Sequence, residues 1–264
     1  MPPKKRKSRK IADGEITMID IHCHILPGID DGARDITESA EMINTARLNK
    51  IDAIIATPHF LNFDKIEDFL FNRDEAVQSF EELLESFDNK PAVAYGAEVF
   101  LDGRVFTADN LDELTLNKSR YMLCEYTLNP FDTEKAVLYA EELCARGYVP
   151  IIAHPERYIS FAESPEVVNR LWDMGCKFQV NASSLAGAGG ENMRSFTEDL
   201  VLKGFADFIA TDAHSHKRRS NRILDKIEYF PESITEDMLK YLLEDAPLRV
   251  LKDEAFPEKE VEYF

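Results

Sequence analysis

The chain is short of positive charge. Of its 264 residues, 31 are Lys or Arg and 49 are Asp or Glu, a formal charge of −18. A surface of that sign repels a phosphate backbone, which excludes a generally basic nucleic-acid binder. Long apolar runs are missing too. None approaches the roughly 18 residues of a membrane span, and no hydrophobic segment follows the N-terminal charges as a secretory signal requires. Cysteine is scarce: Cys23, Cys124, Cys144 and Cys176 lie far apart with no C-x-x-C pair. That disfavours a disulfide scaffold or a thiolate zinc site and fits reduced thiols in the cytoplasm. A G-x-x-x-x-G-K phosphate loop and an H-E-x-x-H helix are also absent, against nucleotide hydrolysis and zinc-protease chemistry.

What is present is the composition of a globular domain, 44% hydrophobic and 30% charged, with enough apolar material for a sizeable core. The first ten residues, MPPKKRKSRK, hold six basic groups and no acidic one, so the rest carries 25 basic against 49 acidic residues, a balance of −24. Residues 1–17 therefore read as a solvated basic extension. Residues 18–253 read as a single domain, and 254–264 as a loose acidic tail. Between the ends, short Ile-, Val- and Tyr-rich runs alternate with amphipathic stretches, the pattern of repeated βα units around a parallel sheet. Seven strands are expected: Met18–His22, Ala53–Thr57, Ala92–Tyr95, Tyr121–Cys124, Val149–Ala153, Lys177–Val180 and Phe208–Ala210. Helices are expected over Asp35–Asn49, Asp64–Phe87, Thr133–Arg146, Pro165–Met174 and Glu191–Lys203, three of them stopped by Gly147, Gly175 and Gly204.

The residues after each strand carry the chemistry. In a (β/α) barrel the carboxyl ends of all strands meet on one face, and five of the six histidines stand at such ends. His22 and His24 are two apart, so on extended backbone both rings leave the same side; Asp212 and His214 repeat the spacing. With His59, Glu98, Glu125 and His154 the candidate ligands number eight, and Asp31 in the GIDDGA loop makes nine. Imidazole and carboxylate without thiolate suit zinc, manganese or iron, and nine ligands suit two or three ions.

The set IDIHCHILPGIDDGA, ATPHF, YGAEV, LCEY, IIAHPERY and ATDAH resembles, in order and spacing, the polymerase-and-histidinol-phosphatase (PHP) superfamily of metal phosphoesterases. Within it the sequence is most similar to bacterial manganese-dependent protein-tyrosine phosphatases of capsule and exopolysaccharide operons. The resemblance implies an α/β fold, a distorted seven-stranded TIM-like barrel, holding three ions. The first would take His22, His24, Glu98 and Asp212, and the second would share Glu98 and add Glu125 and His154. The third would take Asp31, His59 and His214. Arg157 matches the family's phosphate-contacting arginine. The basic extension and the loop His216-Lys217-Arg218-Arg219 depart from the family pattern.

A phosphate monoester dianion repels hydroxide, so its hydrolysis needs charge neutralisation and a made nucleophile. Two ions roughly 3.5 to 4 Å apart can hold a bridging hydroxide in line with the leaving oxygen, while Arg157 grips non-bridging oxygens. The alternative phosphotyrosine chemistry, a cysteine nucleophile followed six residues on by arginine, is excluded: those positions hold Ile29, Pro130, Pro150 and Ala182. The expected substrate is a phosphotyrosine on the tail of a polysaccharide-export kinase, with Arg218 and Arg219 attracting acidic flanks. Competing readings are a histidinol-phosphate or other small-molecule phosphatase, a metal-barrel deoxyribonuclease disfavoured by the acidic body, and a non-catalytic metal-binding regulatory domain. A chain beginning at Met18 is expected to keep its metal content, stability and turnover of a small phosphotyrosine analogue. A large loss in any of the three would show that the extension packs onto the barrel.

Overall fold

The computed structural model describes residues 16–109 and 111–264; the basic extension up to residue 15 lies outside them. Among the described residues nine strands form: β1 (Met18–Cys23), β2 (Ile51–Ala56), β3 (His59–Phe60), β4 (Ala92–Tyr95), β5 (Glu98–Phe100), β6 (Tyr121–Glu125), β7 (Val149–Ala153), β8 (Lys177–Asn181) and β9 (Ala206–Ala210). Seven of them are the expected strands, most with shifted bounds, and the short β3 and β5, just beyond β2 and β4, were not expected. Pro58, which has no N–H to give a ladder, separates β2 from β3, and Gly96-Ala97 separates β4 from β5. Pairing bridges both breaks, since Gly96 N donates to Ala56 O (2.9 Å) and Glu98 N to Pro58 O (3.0 Å). Gly96 is closely packed: a Cβ there would lie 3.1 Å from both Leu116 Cα and Thr115 O.

All pairing is parallel, in the orders β1-β2-β4 and β3-β5-β6-β7-β8-β9. The outer strands β9 and β1 meet at their carboxyl ends through an isolated bridge between Cys23 and Ala213. There Asp212 N donates to His22 O (2.9 Å) and His24 N to Ala213 O (2.8 Å). β1 and β9 are buried along their whole length, as strands covered on both faces must be. An inner cluster of Ile19, Ile21, Ile55, Leu123, Ile151 and Phe208 fills the space between strands and is stopped by Ala246 and Val250 of the helix Ala246–Leu251. A larger cluster packs the outer face against helices Ile36–Leu48, Ile66–Glu85, Thr133–Ala145, Glu166–Asp173 and Glu191–Leu202. Local chemistry sets their ends. The Asp35 carboxylate accepts from Glu38 N (2.9 Å) to start the first, and Gly147 at φ 91° follows the third. Among the described residues no helix is long and apolar enough to cross a membrane.

The acidic end read as loose is packed instead. Phe256 meets Tyr121 and Phe208 edge-on (5.5 and 5.8 Å), and Phe264 stacks on Phe205 (5.3 Å). Lys259 Nζ donates to the buried Asp207 Oδ1 (2.7 Å). Net charge hid the apolar anchors spaced through this segment, whose burial outweighs the cost of ordering it. Phe256→Ala should cost about 2 kcal/mol and lower Tm by about 5 °C in thermal unfolding. An unchanged Tm would mean that the segment contributes nothing to the core.

Candidate metal centre

All nine residues singled out as ligands come together on one face, at or just beyond the ends of β1, β6, β7 and β9 and at the starts of β3 and β5. His22 and His24 are fully buried on β1 and just beyond it, and their Nε2 atoms are 3.1 Å apart. Each ring is oriented from behind. His22 Nδ1 lies 2.8 Å from Gln179 Oε1 and His24 Nδ1 lies 2.7 Å from Asp30 Oδ2, so each Nδ1–H donates outward and each Nε2 lone pair faces the centre. The amide orientations agree: Gln179 Nε2 donates to Asn181 Oδ1 (2.8 Å), and Asn181 Nδ2 donates to Asp212 Oδ2 (2.9 Å).

Glu98, at the start of β5, is the hub. Its Oε2 lies 3.3 Å from both His22 Nε2 and His24 Nε2 and 2.9 Å from His59 Nδ1, while its Oε1 is 2.9 Å from His154 Nε2. Glu125 Oε1 is also 2.9 Å from His59 Nδ1. Asp31, the most exposed of the set at 69%, stands at the mouth, with Oδ1 3.4 Å from His59 Nε2 and 3.3 Å from His214 Nε2. Four groups of donor atoms result: His24, Asp31, His59 and His214; His22, His24 and Asp212; His22, Glu98 and His154; His59, Glu98 and Glu125. His59 thus reaches the Glu98–Glu125 side as well as the Asp31 side, and His24 joins the Asp31 group. His154 (φ 35°) and Asp212 (φ 50°) hold left-handed backbone, a strain that persists where surrounding structure over-determines it.

Electrostatics show what the centre demands. Burial opposes charge on His22, but Glu98 and Asp212 outweigh it and push its pKa up to about 9. Burial likewise opposes charge on His59, yet Glu125 and Glu98 raise it to about 11. Glu98 and Asp212 are buried, which favours their neutral forms, but the histidines hold both well below the usual carboxylate range. His214 moves the other way, to about 2, because burial and the neighbouring His24 disfavour its charge. The carboxylates draw positive charge into a largely buried site, and protons are the weak substitute for a cation. Among the described residues His59 Nδ1, Glu98 Oε2 and His214 Nε2 are buried without hydrogen-bond partners, although polar atoms approach them closely. Lone pairs aimed at a shared point, rather than at one another, give that pattern. The donor set fits divalent cations.

Arg157 Nη1 lies 3.1 Å from Asp212 Oδ2 and Arg219 Nη2 lies 2.6 Å from Asp212 Oδ1. Cys23 packs in the outer core, between the two inward histidines in sequence but away from them in space. Asp30, in the same GIDDGA loop as Asp31, received no role from the sequence. Besides holding His24 it accepts from His59 N (3.0 Å) and Gly32 N (2.8 Å), and burial is overcome by these partners to hold its pKa at about 2. Gly32 lets the loop close, since a Cβ there would lie 2.3 Å from His24 O. Gln179 and Asn181 were visible only as an alternating polar pair at the end of β8.

Residues 18–252 match the model of the capsular polysaccharide synthesis family CpsB/CapC. The chain belongs to the CpsB/CapC family. The tyrosine-protein phosphatase YwqE of Bacillus subtilis is 35% identical over 238 residues, 88% of this chain and 91% of that protein. A solved structure from work on YwqE and on CpsB of Streptococcus pneumoniae, described as unique metal-dependent tyrosine phosphatases, matches with a TM-score of 0.83. Its sequence identity is 30%, and it covers 94% of this chain and 99% of that one. The zinc-containing histidinol phosphate phosphatase of Lactococcus lactis, at 15% identity, TM-score 0.53 and coverage of 81% and 92%, shares the fold. Asp30→Ala should release the His24 ring and the His59 backbone and weaken metal affinity about 10- to 100-fold. Titration of metal into chelator-stripped protein measures this, and unaltered affinity would refute the orienting role.

Proposed function

We propose that this CpsB/CapC protein is a metal-dependent protein-tyrosine phosphatase. The observation that carries the reading is the convergence of nine imidazole and carboxylate groups, several with unpartnered buried atoms, beside two arginines. The relatives named above, tyrosine phosphatases by description, support it. His22, His24, Asp31, His59, Glu98, Glu125, His154, Asp212 and His214 would hold the cations, three ions with manganese preferred. Bound there, the ions would neutralise the phosphate dianion and lower the pKa of water to supply the nucleophile.

The chain's own groups do the rest. Gln179 and Asp30 hold protons on His22 Nδ1 and His24 Nδ1, which fixes both tautomers. Asn181 and the two arginines locate the Asp212 carboxylate. The guanidinium of Arg157 is a planar fork with donors to spare beyond its Asp212 contact, suited to two non-bridging phosphate oxygens in a way that lysine is not. The leaving phenolate of tyrosine is stable enough to depart without a dedicated acid. The substrate in this reading is the phosphotyrosine-bearing tail of a kinase that controls polysaccharide export, met in the cytoplasm.

Chelation should abolish phosphatase activity and manganese should restore it; full activity in metal-free protein would sink the proposal. Arg157→Ala should lower turnover about a hundred-fold or more, while each Cys→Ser variant stays near wild type. With manganese present, kcat/KM should rank phosphotyrosine peptides above histidinol phosphate and above phosphoserine peptides. Preference for histidinol phosphate would move the assignment to a small-molecule phosphatase.

A further inference from the structure

Beside the metal centre lies a cavity of about 300 Å³ lined by Arg157, Arg218, Arg219 and Lys226 and by a single carboxylate, Asp212. In a chain of net charge −18 this is a local reversal of sign. Both Asp212 oxygens are already engaged, Oδ1 by Arg219 and Oδ2 by Arg157 and Asn181, so that carboxylate has little left to offer the other two cations. Lys226 is held in place, with Nζ donating to Ser220 O (2.6 Å). Arg218 has no side-chain partner among the described residues. The hydroxyl-bearing residues Ser183, Ser184 and Thr211 complete the polar wall.

The loop that presents Arg218 is built rather than slack. His214 N and Ser215 N both donate to Arg219 O (2.8 and 3.0 Å), Arg218 N donates to Ser215 Oγ (3.2 Å), and His216 N donates to the buried Glu38 (2.9 Å). An organised cation without a partner, on the wall of a cavity that shares Arg157, Arg219 and Asp212 with the reaction centre, is placed to meet a second anion on the same substrate. Neighbouring residues of an extended segment are about 3.4 Å apart, so an anion one or two positions from the reacting residue falls within reach.

We infer that the cavity walled by Arg218 and Lys226 is a second anion site, taking an acidic side chain that flanks the phosphotyrosine. The inference rests on the phosphatase reading and names the substrate class of that site. A Glu or Asp carboxylate and a second phosphotyrosine present the same chemistry to these cations.

The test measures binding, so that it stands apart from turnover. Manganese-loaded full-length protein is titrated with fluorescent peptides in which a non-hydrolysable phosphonate replaces the phosphate of the tyrosine, and the flanking residues are Glu, phosphotyrosine or Gln. Both anionic flanks should bind about tenfold more tightly than Gln, the scale of one added charge-assisted contact, and the stronger of the two identifies the natural flank. The difference should shrink with salt, vanish in Arg218→Ala and reverse in Arg218→Glu. Equal affinity for Glu and Gln flanks, a preference that survives in both variants, or no binding of any peptide overturns the inference. A clear flank preference with no hydrolysis of the matching phosphotyrosine peptides supports the anion site and instead defeats the phosphatase reading.

Discussion

Glu98 is wholly buried, and imidazole nitrogens of His22, His24, His59 and His154 stand within 3.3 Å of its two oxygens. An isolated carboxylate in such a place would cost several kcal/mol. The partners that relieve it come from β1, β3 and β7, so those strand ends must arrive together for the carboxylate to be tolerated. The His22 and His24 rings are then turned inward by a further layer of Gln179 and Asp30, and Asn181 braces Gln179 and Asp212. A removed orienting group would leave a ring free to swing and a buried charge uncovered, which makes the two layers one cooperative unit.

The interruptions of β2 and β4 belong to the same constraint. A continuous strand alternates its side chains strictly, and Pro58 and Gly96 end that regularity before His59 and Glu98 are reached. The two short strands beyond the breaks pair with each other, His59 opposite Glu98, which sets the central contact by register. At β7 and β9 the left-handed backbone of His154 and Asp212 re-aims a side chain in the same way.

The charge distribution divides the carboxyl face. Acidic and imidazole groups gather at the ends of β1, β6, β7 and β9 and at the starts of β3 and β5, and the cations Arg157, Arg218, Arg219 and Lys226 line a cavity beside them. A cluster of acidic and imidazole groups and a cluster of cations therefore lie side by side, joined at Asp212, which touches both. A phosphate ester with its counter-charges fits that polarity better than a neutral substrate would.

Much of this was legible before any coordinates. Alternating apolar runs and helical stretches announced the parallel α/β order, and H-x-H and D-x-H spacing on extended backbone announced paired ligands, because a two-residue period is a local property of the chain. The positions of the strand ends were enough to assemble eight donors, and the GIDDGA loop added Asp31 as a ninth. Asp30 escaped because turn chemistry and ligand orientation use the same residue type at the same place. The end of the chain was misread because composition averages over a segment, whereas three spaced aromatic and aliphatic anchors decide whether it packs. Which donor atoms share a centre, which ring nitrogen faces inward and that Arg218 stands alone beside a cavity were decided only by tertiary structure. Those depend on distances between residues far apart in sequence, such as His22 and Asp212, and on directions of lone pairs that no local period encodes.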